Sequence, residues 1–183
     1  SIEASYRAVE MGFVQAILVG DRARIEKVCA EKGFEIGKFT IVDEPVELKA
    51  VSTAVAMVHD KAGDVLMKGL CSTDKFLRGI LNKETGLLPP KGLLSHVGIV
   101  DNPNYHKLMF ISDMAVVPAP EFRQKVAITK FLINTAHSFG IAMPKVAFIA
   151  ASEQMMDTMP ACVEGAMLSV MASRGQLGAC IGD

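Results

Sequence analysis

The sequence contains no tryptophan, and aromatic residues make up only 6% of its 183 positions. A core built without large rings must come from Ala, Val, Ile, Leu and Met, and half of the chain is hydrophobic. Such content suits buried parallel strands and the helices that cover them. No apolar run reaches the ~18 residues of a membrane span, so no membrane partner is expected. Neither sign of charge dominates: Lys and Arg number 19 and Asp and Glu 20, for a formal net charge of −1. That balance offers no basic surface to nucleic acid. The four cysteines (Cys29, Cys71, Cys162 and Cys180) form no Cys-x-x-Cys pair and no Cys/His spacing suited to zinc. Dispersed thiols of this kind are expected as reduced core residues of a cytoplasmic protein, with no metal and no redox cofactor.

The length suits one large domain or two small lobes. Neither a signal-peptide pattern nor an initiating Met is present, and the chain opens at Ser1 already within a helical pattern. Ile2, Tyr6 and Val9 recur at helical spacing up to Gly12, which predicts a first helix. Val14–Val19 reads as a buried strand, and Asp21 is placed to cap a helix over 22–32 that Gly33 ends. Phe39–Val42 predicts the next strand, followed by a helix through Ala50, Ala54 and Met57. Strands and helices in alternation imply βαβ crossovers and mostly parallel sheets.

The stretch from Asp64 to Arg78 organises this first half. It reads as a buried strand at Val65–Met67, a polar turn from Lys68 to Thr73, and an amphipathic helix opening at Asp74. A strand feeding a helix through small and hydroxylated residues aims several backbone N–H groups at one point, where the helix terminus favours an anion. Lys68 and Arg78 supply cationic groups for phosphate oxygens, and Ser72 and Thr73 supply hydroxyls. The same residues fit a plainer role, with Ser72 or Thr73 capping the helix and the two cations in solvent. Neither a P-loop nor a Gly-x-Gly-x-x-Gly pattern is present.

Gly86-Leu-Leu-Pro-Pro-Lys-Gly92 interrupts the rhythm and predicts passage between a first lobe, residues 1–91, and a second, residues 92–183. In the second lobe, Leu94–Val100 and Lys107–Ile111 flank the turn Asp101-Asn-Pro-Asn and predict an antiparallel hairpin. A loop with Asp113, Pro118 and Pro120 leads to a long helix starting near Glu121, with Phe122, Val126, Thr129, Ile133 and Ala136 on one stripe. Lys145–Ile149 predicts a strand, 160–173 a helix with Pro near its start, and Leu177–Ile181 another strand.

Six ordered motifs carry a resemblance. They are Asp64-Val-Leu-Met-Lys-Gly-Leu-Cys-Ser-Thr, Leu77-Arg-Gly-Ile-Leu-Asn-Lys, Leu93-Leu-Ser-His-Val, Phe110-Ile-Ser-Asp-Met-Ala-Val-Val-Pro-Ala-Pro, Pro144-Lys-Val-Ala-Phe and Met171-Ala-Ser-Arg-Gly-Gln. Together they resemble the phosphotransacylases, the phosphate acetyltransferase and butyryltransferase family, with the butyryltransferase branch nearer. The resemblance implies a two-lobed α/β fold like that of isocitrate and isopropylmalate dehydrogenases, with the active site between lobes. It implies reversible acyl transfer between coenzyme A and inorganic phosphate, by direct thiol attack on the acyl phosphate and without an acyl-enzyme. Coenzyme A enters as a substrate, no cofactor is needed, and a homodimer is expected. Ser72 and Thr73 match the family's hydroxyl pair and are assigned to phosphate or carbonyl oxygens. Lys68, Arg78, Ser95, His96 and Asp113 are assigned to substrate binding, although His96 and Asp113 also suit purely structural roles. Cys71 is assigned to packing, since direct transfer needs no protein thiol.

Family chains continue past the point matching Asp183. The continuation is expected to complete the first lobe and to supply a Ser-Arg pair and an acid for phosphate and thiol, so the chain reads as part of a longer polypeptide. Three rivals stand beside this reading. A nicotinamide-dependent dehydrogenase of the same fold would need a metal-binding set of aspartates and an arginine cluster, neither of which is evident. A fatty-acyl phosphate synthase shares the chemistry, and a non-catalytic module would bind coenzyme A, an acyl phosphate or a partner subunit.

Overall fold

In a computed structural model that describes residues 1–183, the chain divides into two units, Ser1–Gly92 and Leu93–Asp183. The first begins with α1 (Ile2–Glu10), whose Ile2, Tyr6 and Val9 face a small core around Ile25, Cys29 and Phe39. Tyr6 stacks on Phe34 at 4.4 Å between ring centroids and meets Phe39 edge-on. Two of the chain's few aromatic contacts thus fasten α1 to the βαβ unit that follows.

That unit is β1 (Ala16–Gly20), α2 (Arg22–Lys32) and β2 (Phe39–Asp43), with β1 and β2 parallel and Ala16 opposite Phe39. The ends of α2 fall where the sequence places them. Asp21 accepts a hydrogen bond from the Arg24 N–H at 3.1 Å, and Asp43, at the end of β2, accepts one from the Arg22 N–H at 3.0 Å. Two carboxylates thereby satisfy amides that the first turn leaves free. Gly33 closes the helix in the left-handed region at φ 68°.

Helix α3 (Glu47–His59) buries Val51 and Val55, one residue along from the Ala50 and Ala54 stripe expected from sequence. Helix α4 (Thr73–Ile80) packs against it at Gly79, where an added Cβ would lie 2.8 Å from Val51 Cγ1 and 3.3 Å from Val55 Cγ2. The expected strand at Val65–Met67 is not formed, and Val65, Met67 and Leu70 are exposed. An apolar triplet becomes a strand only with a ladder partner; here β1 and β2 pair with each other and residues 65–67 join neither.

The second unit opens with the antiparallel hairpin β3 (Gly98–Val100) and β4 (Met109–Ile111). Helix α5 (Phe122–Ser138) starts in a reciprocal capping box between Glu121 and Gln124 and buries Ile128, Thr129, Ile133 and Ala136. Helix α6 (Pro160–Ser173) has Pro160 in its first turn, where a missing N–H costs nothing. Ile133, Leu168, Ala172 and Leu177 form the centre of this core.

The parallel pair β5 (Lys145–Val146) and β6 (Ile181–Gly182) is shorter than either strand read from sequence. Gly175 and Gly178 hold φ at 69° and 102°, so the chain turns through 175–178 and Leu177 enters the core from a turn. Beta6 then offers two residues for pairing, and Ile149 at the far end of the expected strand is exposed. The fold is therefore mixed α/β with three two-stranded pairs, two parallel and one antiparallel.

Candidate functional site

Four of the seven sequence-assigned residues lie in the first unit. Ser72 is the N-cap of α4, accepting from the Lys75 N–H at 3.2 Å, and Thr73 is the first helical residue, one earlier than expected. The capping role is therefore real for Ser72, and its hydroxyl proton is still free to donate. Thr73 is exposed with its hydroxyl and amide unengaged, and the Asp74 amide also lacks an acceptor within the chain. Two hydroxyls and two amides therefore stand together at the positive end of α4. Lys68 is exposed and in no ion pair, whereas Arg78 pairs with Asp74 along the helix at 3.1 Å. Such exposed pairs are weak, so Arg78 remains exchangeable.

Sequence reasoning missed the residue that anchors this turn. Glu47, in the first turn of α3, accepts from the Ser72 backbone N–H at 2.8 Å and from Lys75 Nζ at 2.5 Å. The Lys75 hydrogen bond and then the Ser72 amide hold the Glu47 carboxyl below its ordinary range. The available signal was the spacing Glu47, Val51, Val55, which sets the acid on the buried stripe of α3.

The other three assigned residues come together in the second unit. Asp113 Oδ2 accepts from the Ser95 hydroxyl at 2.9 Å and the His96 N–H at 3.1 Å. Its Oδ1 accepts from the amides of Ala115 at 2.8 Å and Val116 at 2.9 Å. Burial pushes the Asp113 carboxyl up, but the amides of Val116, Ala115 and His96 and the Ser95 hydroxyl outweigh it and hold the group well below the usual carboxylate range. Ser112, beside it, donates its hydroxyl proton to the His96 carbonyl at 2.6 Å. With both oxygens doubly engaged, Asp113 fixes the segments before β3 and after β4 and has little capacity left for a ligand. His96 is the reverse case: its Nδ1 is buried and makes no hydrogen bond.

The second unit also carries an open cleft of about 810 Å³, with Phe110, Leu132, Phe148 and Leu168 in its walls. Part of its wall is that unit's own core, and its polar elements include Lys107, Ser112, Asp113, Lys145 and the Lys125–Glu164 ion pair. Elsewhere, burial pushes the Cys29 and Cys180 thiols up, away from the thiolate a nucleophile needs. No three His, Cys, Asp or Glu side chains converge as metal donors, and no helix is long and apolar enough to cross a membrane.

A family model described as "Phosphate acetyl/butaryl transferase" matches residues 38–181. Over 182 residues the chain is 40% identical to the phosphate butyryltransferase of Clostridium acetobutylicum, covering 100% of this chain and 60% of that protein. Over 177 residues it is 34% identical to the phosphate acetyltransferase of Rhizobium meliloti, covering 97% of this chain and 56% of that one. The crystal structure of a branched-chain phosphotransacylase from Enterococcus faecalis V583 is similar in fold, with a TM-score of 0.72 at 22% identity, over 92% of this chain and 67% of that chain. The chain thus spans about 60% of the length of the butyryltransferases it matches.

Proposed function

Since the chain belongs to the phosphate acetyl/butyryl transferase family, we propose that it carries part of the active site of a phosphate acyltransferase that moves a short acyl group, butyryl by preference, between coenzyme A and inorganic phosphate. One observation carries this reading: the family match over residues 38–181 takes in all seven assigned residues, from Lys68 to Asp113. The preference for butyryl rests on 40% identity to a phosphate butyryltransferase against 34% to a phosphate acetyltransferase. A dehydrogenase-like organisation of the two units, a homodimer and a cytoplasmic location belong to the same proposal.

In the direction of acyl-CoA formation, the thiol sulfur attacks the carbonyl carbon of the acyl phosphate. The thiol proton passes to a base, and the carbon–oxygen bond to phosphate breaks, with its electron pair leaving on phosphate. A free thiol with pKa ~8.5 is mostly protonated at neutral pH, so the base contributes roughly 10²–10⁴-fold. Charge develops on the carbonyl oxygen and on the leaving phosphate. The hydroxyls of Ser72 and Thr73 and the amides of Thr73 and Asp74 are donors suited to those oxygens. Lys68 and Arg78 add positive charge, and Ser95, His96 and Asp113 are proposed as substrate-binding residues of the second unit, where Asp113 holds the Ser95 hydroxyl and the His96 N–H.

The polypeptide encoded by the whole reading frame should release coenzyme A from butyryl-CoA only when inorganic phosphate is present. Absence of phosphate-dependent release, with butyryl-CoA still bound, would leave a binding module in its place. Reduction of a nicotinamide by the same preparation would instead mark a dehydrogenase. Direct thiol attack on an acyl phosphate calls for no metal or redox cofactor, so exhaustive chelation is expected to leave the transferase rate unchanged. Loss of activity restored by a divalent ion would overturn that expectation.

A further inference from the structure

We infer that Glu47 is a positioning residue for the Lys68–Thr73 turn and thereby sets the enzyme's hold on inorganic phosphate; the inference rests on the function proposed above. The turn has few other restraints, because residues 65–67 join no ladder and Val65, Met67 and Leu70 are exposed. Its geometry depends on how α4 is held. Glu47, Val51 and Val55 follow one another at intervals of four along one stripe of α3. Lys75 and Gly79 do the same on α4. The two stripes meet at Gly79, whose missing side chain lets the helices approach: a Cβ there would lie 2.8 Å from Val51 Cγ1. At the other end they meet through Glu47, which takes the Ser72 amide at 2.8 Å on one oxygen and Lys75 Nζ at 2.5 Å on the other.

The helix pair is thus pinned by packing at one end and by one carboxylate at the end that matters for chemistry. Both bonds are charge-assisted, and the anion also lies in the first turn of its own helix, where negative charge is favoured. By fixing the Ser72 backbone and Lys75, Glu47 sets the direction of the Ser72 and Thr73 hydroxyls. It touches neither acyl group nor thiol in this role, so its loss should raise the phosphate KM, and lower kcat through the same hydroxyls, while sparing the KM for acyl-CoA.

The test is kinetic, in the polypeptide encoded by the whole reading frame, with Glu47→Ala, Glu47→Gln and the double variant Ser72→Ala/Thr73→Ala compared. Glu47→Ala removes both bonds and is expected to raise the phosphate KM about ten- to hundredfold, with the acyl-CoA KM within about twofold of wild type. Glu47→Gln keeps the volume and an acceptor for the Ser72 amide but loses the Lys75 pair. It should fold if the Ala variant does not, and should show a smaller rise, about three- to tenfold. An unchanged phosphate KM in Glu47→Gln, or equal rises for both substrates, would overturn the positioning role. A lowered phosphate KM would overturn it too, making the carboxylate a competitor of the substrate anion. Should Ser72→Ala/Thr73→Ala also leave phosphate kinetics at wild-type values, the site reading itself fails. If the double variant responds and the Glu47 variants do not, the site stands and only the inference about Glu47 falls.

Discussion

Replacing Asp113 with Asn is expected to destabilise the unit formed by residues 93–183 by about 3–6 kcal/mol, as two hydrogen bonds to a charged acceptor at about 1.5–3 kcal/mol each give way. The substitution preserves shape and one carbonyl oxygen, which can still accept from the Ala115 and Val116 amides. The other oxygen becomes an NH₂ that faces two donors, the Ser95 hydroxyl and the His96 N–H. Rotating the amide moves the conflict to Ala115 and Val116 without relieving it. The carboxyl is held below its ordinary range in the folded chain, so it binds a proton more readily once the chain unfolds. Its contribution is complete above the unfolded pKa, near ~4, and is lost as pH falls from there toward the folded value. Wild type should therefore lose stability on acidification below about pH 4 with a slope that Asp113→Asn lacks. With no tryptophan to report unfolding, amide hydrogen exchange at His96, Ala115 and Val116 is the suitable measurement. Exchange rates in Asp113→Asn equal to wild type would show that the carboxylate does not hold these segments.

What the sequence made legible follows from whether a signal is local. Asp21 and Gly33 bracket α2 because a cap and a left-handed terminus are decided by single residues. Pro160 marks the first turn of α6 in the same way, and Asp101-Asn-Pro-Asn announces the hairpin between β3 and β4. Val65–Met67 failed because apolar residues state a wish for burial, and only tertiary pairing decides whether a ladder exists to join. The strand read over Leu177–Ile181 shrinks to Ile181–Gly182 for a related reason: Gly178 takes a positive φ that a strand does not accommodate. Ser72 was open to two readings because capping and anion binding ask for the same hydroxyl, and the cap is the one the structure forms. Asp113 was legible as a polar residue in a loop, but its four bonds depend on residues 95–96 folding back beside 112–116. Glu47 and Lys75 were invisible as partners, since they come from different helices and meet only when α3 packs on α4.

The largest functional effect is expected from the hydroxyls at the start of α4, and the structure allows their chemistry to be separated from their part in folding. Ser72 caps the helix, so Ser72→Ala should cost about 1 kcal/mol of stability as well as activity. Ser72→Asn keeps a good capping acceptor while removing the hydroxyl, and should restore most of that stability without restoring turnover. Thr73 is the cleaner case, because its hydroxyl is exposed and has no partner within the chain. Thr73→Ala removes nothing the fold uses, and Ala suits the first helical turn at least as well as Thr. Its melting temperature should match wild type. Its kcat for butyryl-CoA formation should nevertheless fall about 10²–10³-fold if the hydroxyl meets charge that develops in the transition state, as loss of one preorganised oxyanion donor does elsewhere. A donor acting equally on bound substrate and transition state would instead raise KM and spare kcat. Steady-state rates for Thr73→Ala, Ser72→Asn and the double alanine variant, each with a thermal melt, distinguish these cases. Wild-type kcat and KM in Thr73→Ala would remove Thr73 from the chemistry. The same result in Ser72→Asn would leave Ser72 as a helix cap and nothing more.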